Sequence, residues 1–122
     1  MDTLDFIAAQ YASKIIEDSK GNNKLENLLN TALGILAEQG PFALLLWAES
    51  SKAEHIGENL IEKTTLLLTE DLCVMEALPT GQKLSVFFNE QVGKRFSLYM
   101  MVRQILERML IYARYYAKAK GE

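Results

Sequence analysis

Arginine is absent from the first 94 residues of this 122-residue chain, and histidine, cysteine and tryptophan occur once each, at His55, Cys73 and Trp47. A single histidine excludes a histidine-rich metal site; zinc would need Cys73 and carboxylates, and these stand at no recognisable spacing. A single cysteine excludes an internal disulfide and fits a reducing compartment. The longest uninterrupted apolar run, Phe42 to Ala48, is seven residues, whereas a bilayer span needs about 20. The N-terminus carries Asp2 and Asp5 and has no basic-then-apolar leader pattern. These absences predict a cytoplasmic protein without membrane contact.

Catalytic sets are missing as well. There is no glycine-rich phosphate loop after a strand, and no serine, histidine and aspartate set can be placed. Glu54, Glu58 and Glu62 recur every four residues, but a di-metal carboxylate bundle also wants Glu-x-x-His motifs, which this chain lacks. They read as a solvated helix face. Cys73, between Leu72 and Val74, reads as inert packing. A non-catalytic protein with no cofactor, no metal and no small-molecule substrate is expected.

The residues that are present read as helix throughout. With 49% hydrophobic and 24% charged residues the chain has ordinary globular proportions, and its length suits one domain, residues 1–122. From Thr3 to about Lys20, Leu4, Ile7, Ala8, Tyr11 and Ile15 recur at helical spacing, with Gly21 in the stop position. Asn23 and Glu26 form a capping-box pattern for a second helix that ends at Gly40. Pro41 suits the first turn of a third, apolar on all sides through Ala48, so either central in the core or pressed against another subunit. A fourth is expected from about Ala53 to Leu68. A short fifth, Glu70 to Leu78, opens on two acids favoured by the helix dipole. Pro79-Thr80-Gly81 is a turn. Lys83 to Gln91 forms one more short helix, and a last runs from about Lys94 to Ala119, about 39 Å long. Val86-Phe87-Phe88 is the sole β-like triplet. The expected fold is all-α: a single compact bundle of six or seven helices with a long C-terminal helix.

Charge is segregated along this bundle. From Val92 to Gly121 seven basic residues face one acid, Glu107, whereas Met1 to Gln91 carries a net −8 in a chain of net −3. Such separation lets one surface attract a polyanion while the rest stays acidic. At about 100° per residue, Leu98, Val102, Ile105, Leu106, Met109, Ala113 and Tyr116 share one face of the last helix, with Arg103, Glu107, Arg114 and Lys118 opposite and Arg108 on a flank. Arg103 and Glu107 are also spaced to pair at i,i+4. Tyr112, Tyr115 and Tyr116 lie among these charges, and aromatics interleaved with arginine can stack on bases.

Several stretches together carry a resemblance. Ala8-x-x-Tyr11-Ala12 leads to the basic, polar loop Ser19 to Lys24. The helix–glycine–helix unit from Ala32 through Gly40 to Phe42 follows, continuing through Leu44-Leu45-Leu46-Trp47 to Ser51-Lys52. The chain closes on the helix Val102 to Arg114. In order and spacing it resembles the small all-helical subunit of the type III-B CRISPR (Cmr) RNA-guided effector complex. The resemblance implies a non-catalytic subunit in antiviral defence. Copies of that subunit stack into a short filament along the groove holding the guide RNA and target RNA, beside other Cmr complex subunits that cleave. On that reading Arg103, Arg108, Arg114 and Lys118, with Lys14, Lys20 and Lys52, approach RNA phosphates or a neighbouring subunit. A second reading is a helical adaptor or regulatory protein binding an acidic or apolar protein partner without nucleic acid, with Phe42, Trp47, Met100 and Met101 as interface anchors.

Overall fold

The computed structural model describes residues 3–19 and 24–120. Within them the chain forms six α-helices: α1 (Leu4–Asp18), α2 (Leu25–Gln39), α3 (Pro41–Ala48), α4 (Glu54–Leu66), α5 (Leu84–Gln91) and α6 (Phe96–Lys120). A 3-10 turn, Ser51–Ala53, leads into α4, and a π turn, Leu67–Asp71, closes it. No strand occurs among the described residues, and Val86-Phe87-Phe88 lies within α5. The all-α bundle with a long C-terminal helix is therefore the fold. At 25 residues, α6 is about 38 Å long and forms the spine against which α1 and α2 pack.

Local chemistry explains most helix ends. Thr3 caps α1, its hydroxyl accepting from the Phe6 amide at 3.1 Å. Gly40 ends α2 and begins α3 at φ 94°, with Pro41 as first residue of α3. A side chain there would also collide with Tyr99, whose hydroxyl lies 2.8 Å from where a Cβ would stand, so conformation and space both require glycine. The capping residue of α2 is Lys24, whose side chain makes no capping bond to the first turn and pairs with Glu54 at 3.7 Å. Asn23, the expected cap, and Gly21, the expected stop of α1, lie outside the described residues.

Other ends are finished by tertiary contacts. The Glu49 carboxylate accepts from the Ser85 amide at 2.9 Å and from its hydroxyl at 2.6 Å. It thus supplies the cap that α5 lacks in its own sequence, a contribution of about 1 kcal/mol. At the C-terminus of α1, Asn59 Nδ2 donates to the Asp18 carbonyl and the Ser19 hydroxyl. Lys63, 5% exposed, donates to Asp18 at 2.6 Å and to Glu62 at 3.1 Å. A cation there also suits the helix dipole.

The expected helix from Glu70 to Leu78 does not form. Thr65 and Thr69 hydroxyls bond back to carbonyls four residues earlier, and the last turn widens so that the Leu72 amide reaches Leu67. Cys73 then takes φ 52°, and the Val74 and Met75 amides return to the Leu68 carbonyl. This is a left-handed helix stop built without glycine. Glu70 and Asp71 therefore end a helix instead of beginning one. Met75 is buried and pins the following segment to the core. The Cys73 thiol is exposed, not packed. The Pro79–Gly81 turn is present, closed by the Gln82 amide on the Pro79 carbonyl at 3.1 Å.

One continuous core joins all six helices. In α3, Leu44, Leu45 and Ala48 are buried while Leu46 is 48% exposed, so this apolar helix lies at the core edge with one face outward.

Candidate nucleic-acid interface

α6 is anchored through Val102, Ile105, Leu106, Met109, Leu110 and Ala113, each at most 1% exposed. Leu110, outside the expected apolar face, belongs to this seam, and Tyr116, expected within it, is 40% exposed. The seam is thus rotated toward Arg103 and Arg114. Those arginines lie on its flank, not opposite it, because α2 covers that side.

The flanking arginines are bonded inside the protein. Arg103 Nη2 donates to the Ala37 carbonyl of α2 at 2.7 Å. Its expected partner Glu107 is not the group it meets. Arg114 Nη1 donates to Asn30 Oδ1, also on α2, at 3.2 Å, and its guanidinium lies 6.0 Å from the Tyr115 ring centre. On the opposite flank Arg108 pairs with Asp5 of α1 at 2.9 Å. The Tyr112 hydroxyl donates to the same carboxylate. The sequence pattern could not reveal these partners, since Asp5, Asn30 and Ala37 are 66 to 107 residues away from the side chains they meet.

The Tyr112 hydroxyl and then the Arg108 guanidinium hold Asp5 below its ordinary carboxylate pKa. The Asp5 bond in turn raises the Tyr112 pKa. A depressed carboxylate contributes stability that is present above its unfolded pKa and is lost as pH falls through the folded value. Replacing Asp5 by Asn is therefore expected to flatten the acid limb of the unfolding curve below about pH 4. Thermal unfolding followed from pH 6 to about 2 checks this; superimposable limbs would contradict it.

The outward ridge of α6 reads Gln104, Glu107, Ile111, Tyr115 and Lys118 by helical geometry, and Lys118 is exposed. Lys94 and Arg95 are exposed in the loop before α6, at the end of the helix away from Lys118. They belonged to the charge excess and to the start of the expected last helix but not to the expected contact set; in the structure they precede α6, which begins at Phe96. The remaining candidates scatter. Lys14 on α1 lies over the Tyr11 ring at 4.9 Å. Lys52 stands in the 3-10 turn before α4, beside Glu54. Lys20 lies outside the described residues. The expected anchors Phe42, Trp47, Met100 and Met101 are all half-buried, and more apolar area is open at Phe6, 53% exposed, and Phe96, 77% exposed.

Comparisons with protein families, curated proteins and solved structures find no match. The arrangement's own chemistry is ionic: a helix flanked by arginines that retain free N–H donors, with exposed cations at both ends. Among the described residues, no three His, Cys, Asp or Glu side chains gather to hold a metal ion, and no helix is long and apolar enough to cross a membrane.

Proposed function

We propose that this chain is the non-catalytic small subunit of a type III-B CRISPR (Cmr) RNA-guided effector complex, stacking with copies of itself and contacting the backbone of the guide–target RNA duplex in antiviral defence. The observation that carries the reading is the separation of charge: seven of the 13 basic residues lie from Val92 onward, in α6 and the residues beside it, within an acidic chain. The all-helical fold with its long C-terminal helix is the one the resemblance implies. Backbone recognition needs cations and no base readout, and each neutralised phosphate steepens the salt dependence. Arg103 and Arg114 hold α6 to α2 and present their remaining donors, while Lys118, Lys94 and Arg95 are exposed, as is Arg108, which pairs with Asp5.

The test uses the assembled complex carrying Arg95→Ala and Lys118→Ala. RNA retention is expected to fall and the slope of log affinity against log salt to flatten by about 0.7 to 0.9 for each phosphate left without its cation, with thermal unfolding of the isolated chain unchanged. Unchanged retention together with an unchanged slope overturns the assignment.

The internal bonding of Arg103, Arg108 and Arg114 favours the second reading, a helical adaptor that binds protein without nucleic acid. Co-purification separates the two: RNA absorbance with several partner proteins supports the first, and one protein partner without RNA the second.

A further inference from the structure

An open groove of about 770 Å3 runs between the end of α3, the outer face of α4 and the segment before α5. Half-buried Ile61, Leu66 and Leu78 give it an apolar floor. Glu54, Glu58 and Glu62, all exposed and one helical turn apart, form a wall, and Lys83 lines the groove. Glu54 pairs through one oxygen with Lys24 at 3.7 Å and Glu62 through one oxygen with Lys63 at 3.1 Å, so Glu58 is the central acid of the wall. Carboxylates repel phosphate, so this side of the molecule is unsuited to RNA. An apolar floor beside a row of acids matches the inverse surface, an apolar stripe bordered by cations.

We propose that this groove docks a basic amphipathic helix of a partner protein. Its apolar stripe covers Ile61, Leu66 and Leu78, and its Lys or Arg side chains, repeated every four residues, meet Glu58 and the second carboxylate oxygens of Glu54 and Glu62. The carboxylates are spaced by about 6 Å along α4, and the partner's cations need the same repeat. A second copy's α6 does not provide it. The outward ridge of α6 offers one described cation, Lys118, among Gln104, Glu107, Ile111 and Tyr115, and Arg103, Arg108 and Arg114 stand on the flanks, turned toward α2 and α1. The occupant is therefore a different protein, and the site is separate from the RNA reading above.

The probe is a fluorescein-labelled synthetic helix of about 16 residues with lysine at every fourth position and a leucine stripe. A matched peptide carries serine in place of leucine. Anisotropy titrations on the full chain are expected to give saturable binding to the first peptide, about tenfold weaker binding to the serine peptide, and about tenfold weaker binding of the leucine peptide to Glu58→Lys. Glu58 is exposed, so this variant keeps the fold, which far-ultraviolet circular dichroism verifies. A leucine peptide with glutamate at the matching lysine regains affinity for Glu58→Lys if the pairing is direct. Absent saturable binding, equal binding of the serine peptide, or indifference to Glu58→Lys each overturns the proposal. So does a self-association in sedimentation that Glu58→Lys abolishes, since it would give the groove to a second copy. RNA retention depends on Lys118 and Arg95, so failure of one proposal leaves the other standing.

Discussion

Gly57→Ala is expected to lower the stability of this protein by about 3 kcal/mol, although alanine is the better helix former by about 1 kcal/mol. Gly57 lies within α4 where that helix crosses the end of α3. A Cβ at this position would stand 2.2 Å from the Ala48 carbonyl oxygen and 2.9 Å from the Ala53 Cβ. The first obstacle is backbone, so a side-chain rotation cannot relieve it, and α3 and α4 must separate. Gly34 is the control, since it lies within α2 with nothing within 4 Å of a built Cβ. Gly34→Ala is expected to stabilise by about 0.5 to 1 kcal/mol through helix propensity alone. Urea unfolding of the two variants checks the opposite signs. Equal shifts in the same direction would mean that α3 and α4 are not in close contact at Ala48.

Asp18→Ala is expected to cost about 2 kcal/mol, while Lys63→Met costs less than about 1 kcal/mol. Lys63 is buried, and its ammonium donates to Asp18 and Glu62. Removing Asp18 leaves a buried cation with one carboxylate, whereas methionine fills the space with apolar atoms and leaves two acids that solvent reaches. Burial lowers the Lys63 pKa, but the bonds to Asp18 and Glu62 raise it by more, so it titrates above the ordinary 10.5. A raised pKa means stability fully present below the unfolded value and lost as pH rises through the folded one. The Asp18→Ala deficit is therefore expected to shrink as the pH rises beyond the ordinary 10.5 and through the raised folded-state value, where the amine becomes neutral. A deficit that is constant from neutral to alkaline pH would show that the ammonium is not its source.

The helices that repeat an apolar stripe were legible in sequence. α1, α2 and α6 carry Ile7, Ala8, Tyr11, Leu29, Leu36, Val102 and Leu106 at positions the period dictates, and all are buried. The segment after Asp71 was not legible. Its signal was the acid pair Glu70-Asp71, which suits a helix N-terminus, but the α4 end is set by threonine back-bonding and by a left-handed Cys73, a position where glycine is the usual mark. The α5 cap was equally silent, because Glu49 reaches it from 36 residues away.

For the candidate site, the sequence by itself determined that cations concentrate in the last helix, since charge is a property of residue order. Only the tertiary structure decided what each cation does. Packing α6 between α1 and α2 turned Arg108 onto Asp5 and Arg103 and Arg114 onto α2, leaving Lys118 outward with Lys94 and Arg95 before the helix. It also bent the chain so that Glu54, Glu58 and Glu62 wall an apolar groove with Leu66 and Leu78. A helical period fixes an angle around one axis, but the neighbours at that angle come from distant parts of the chain, and they determine which charges remain free to bind.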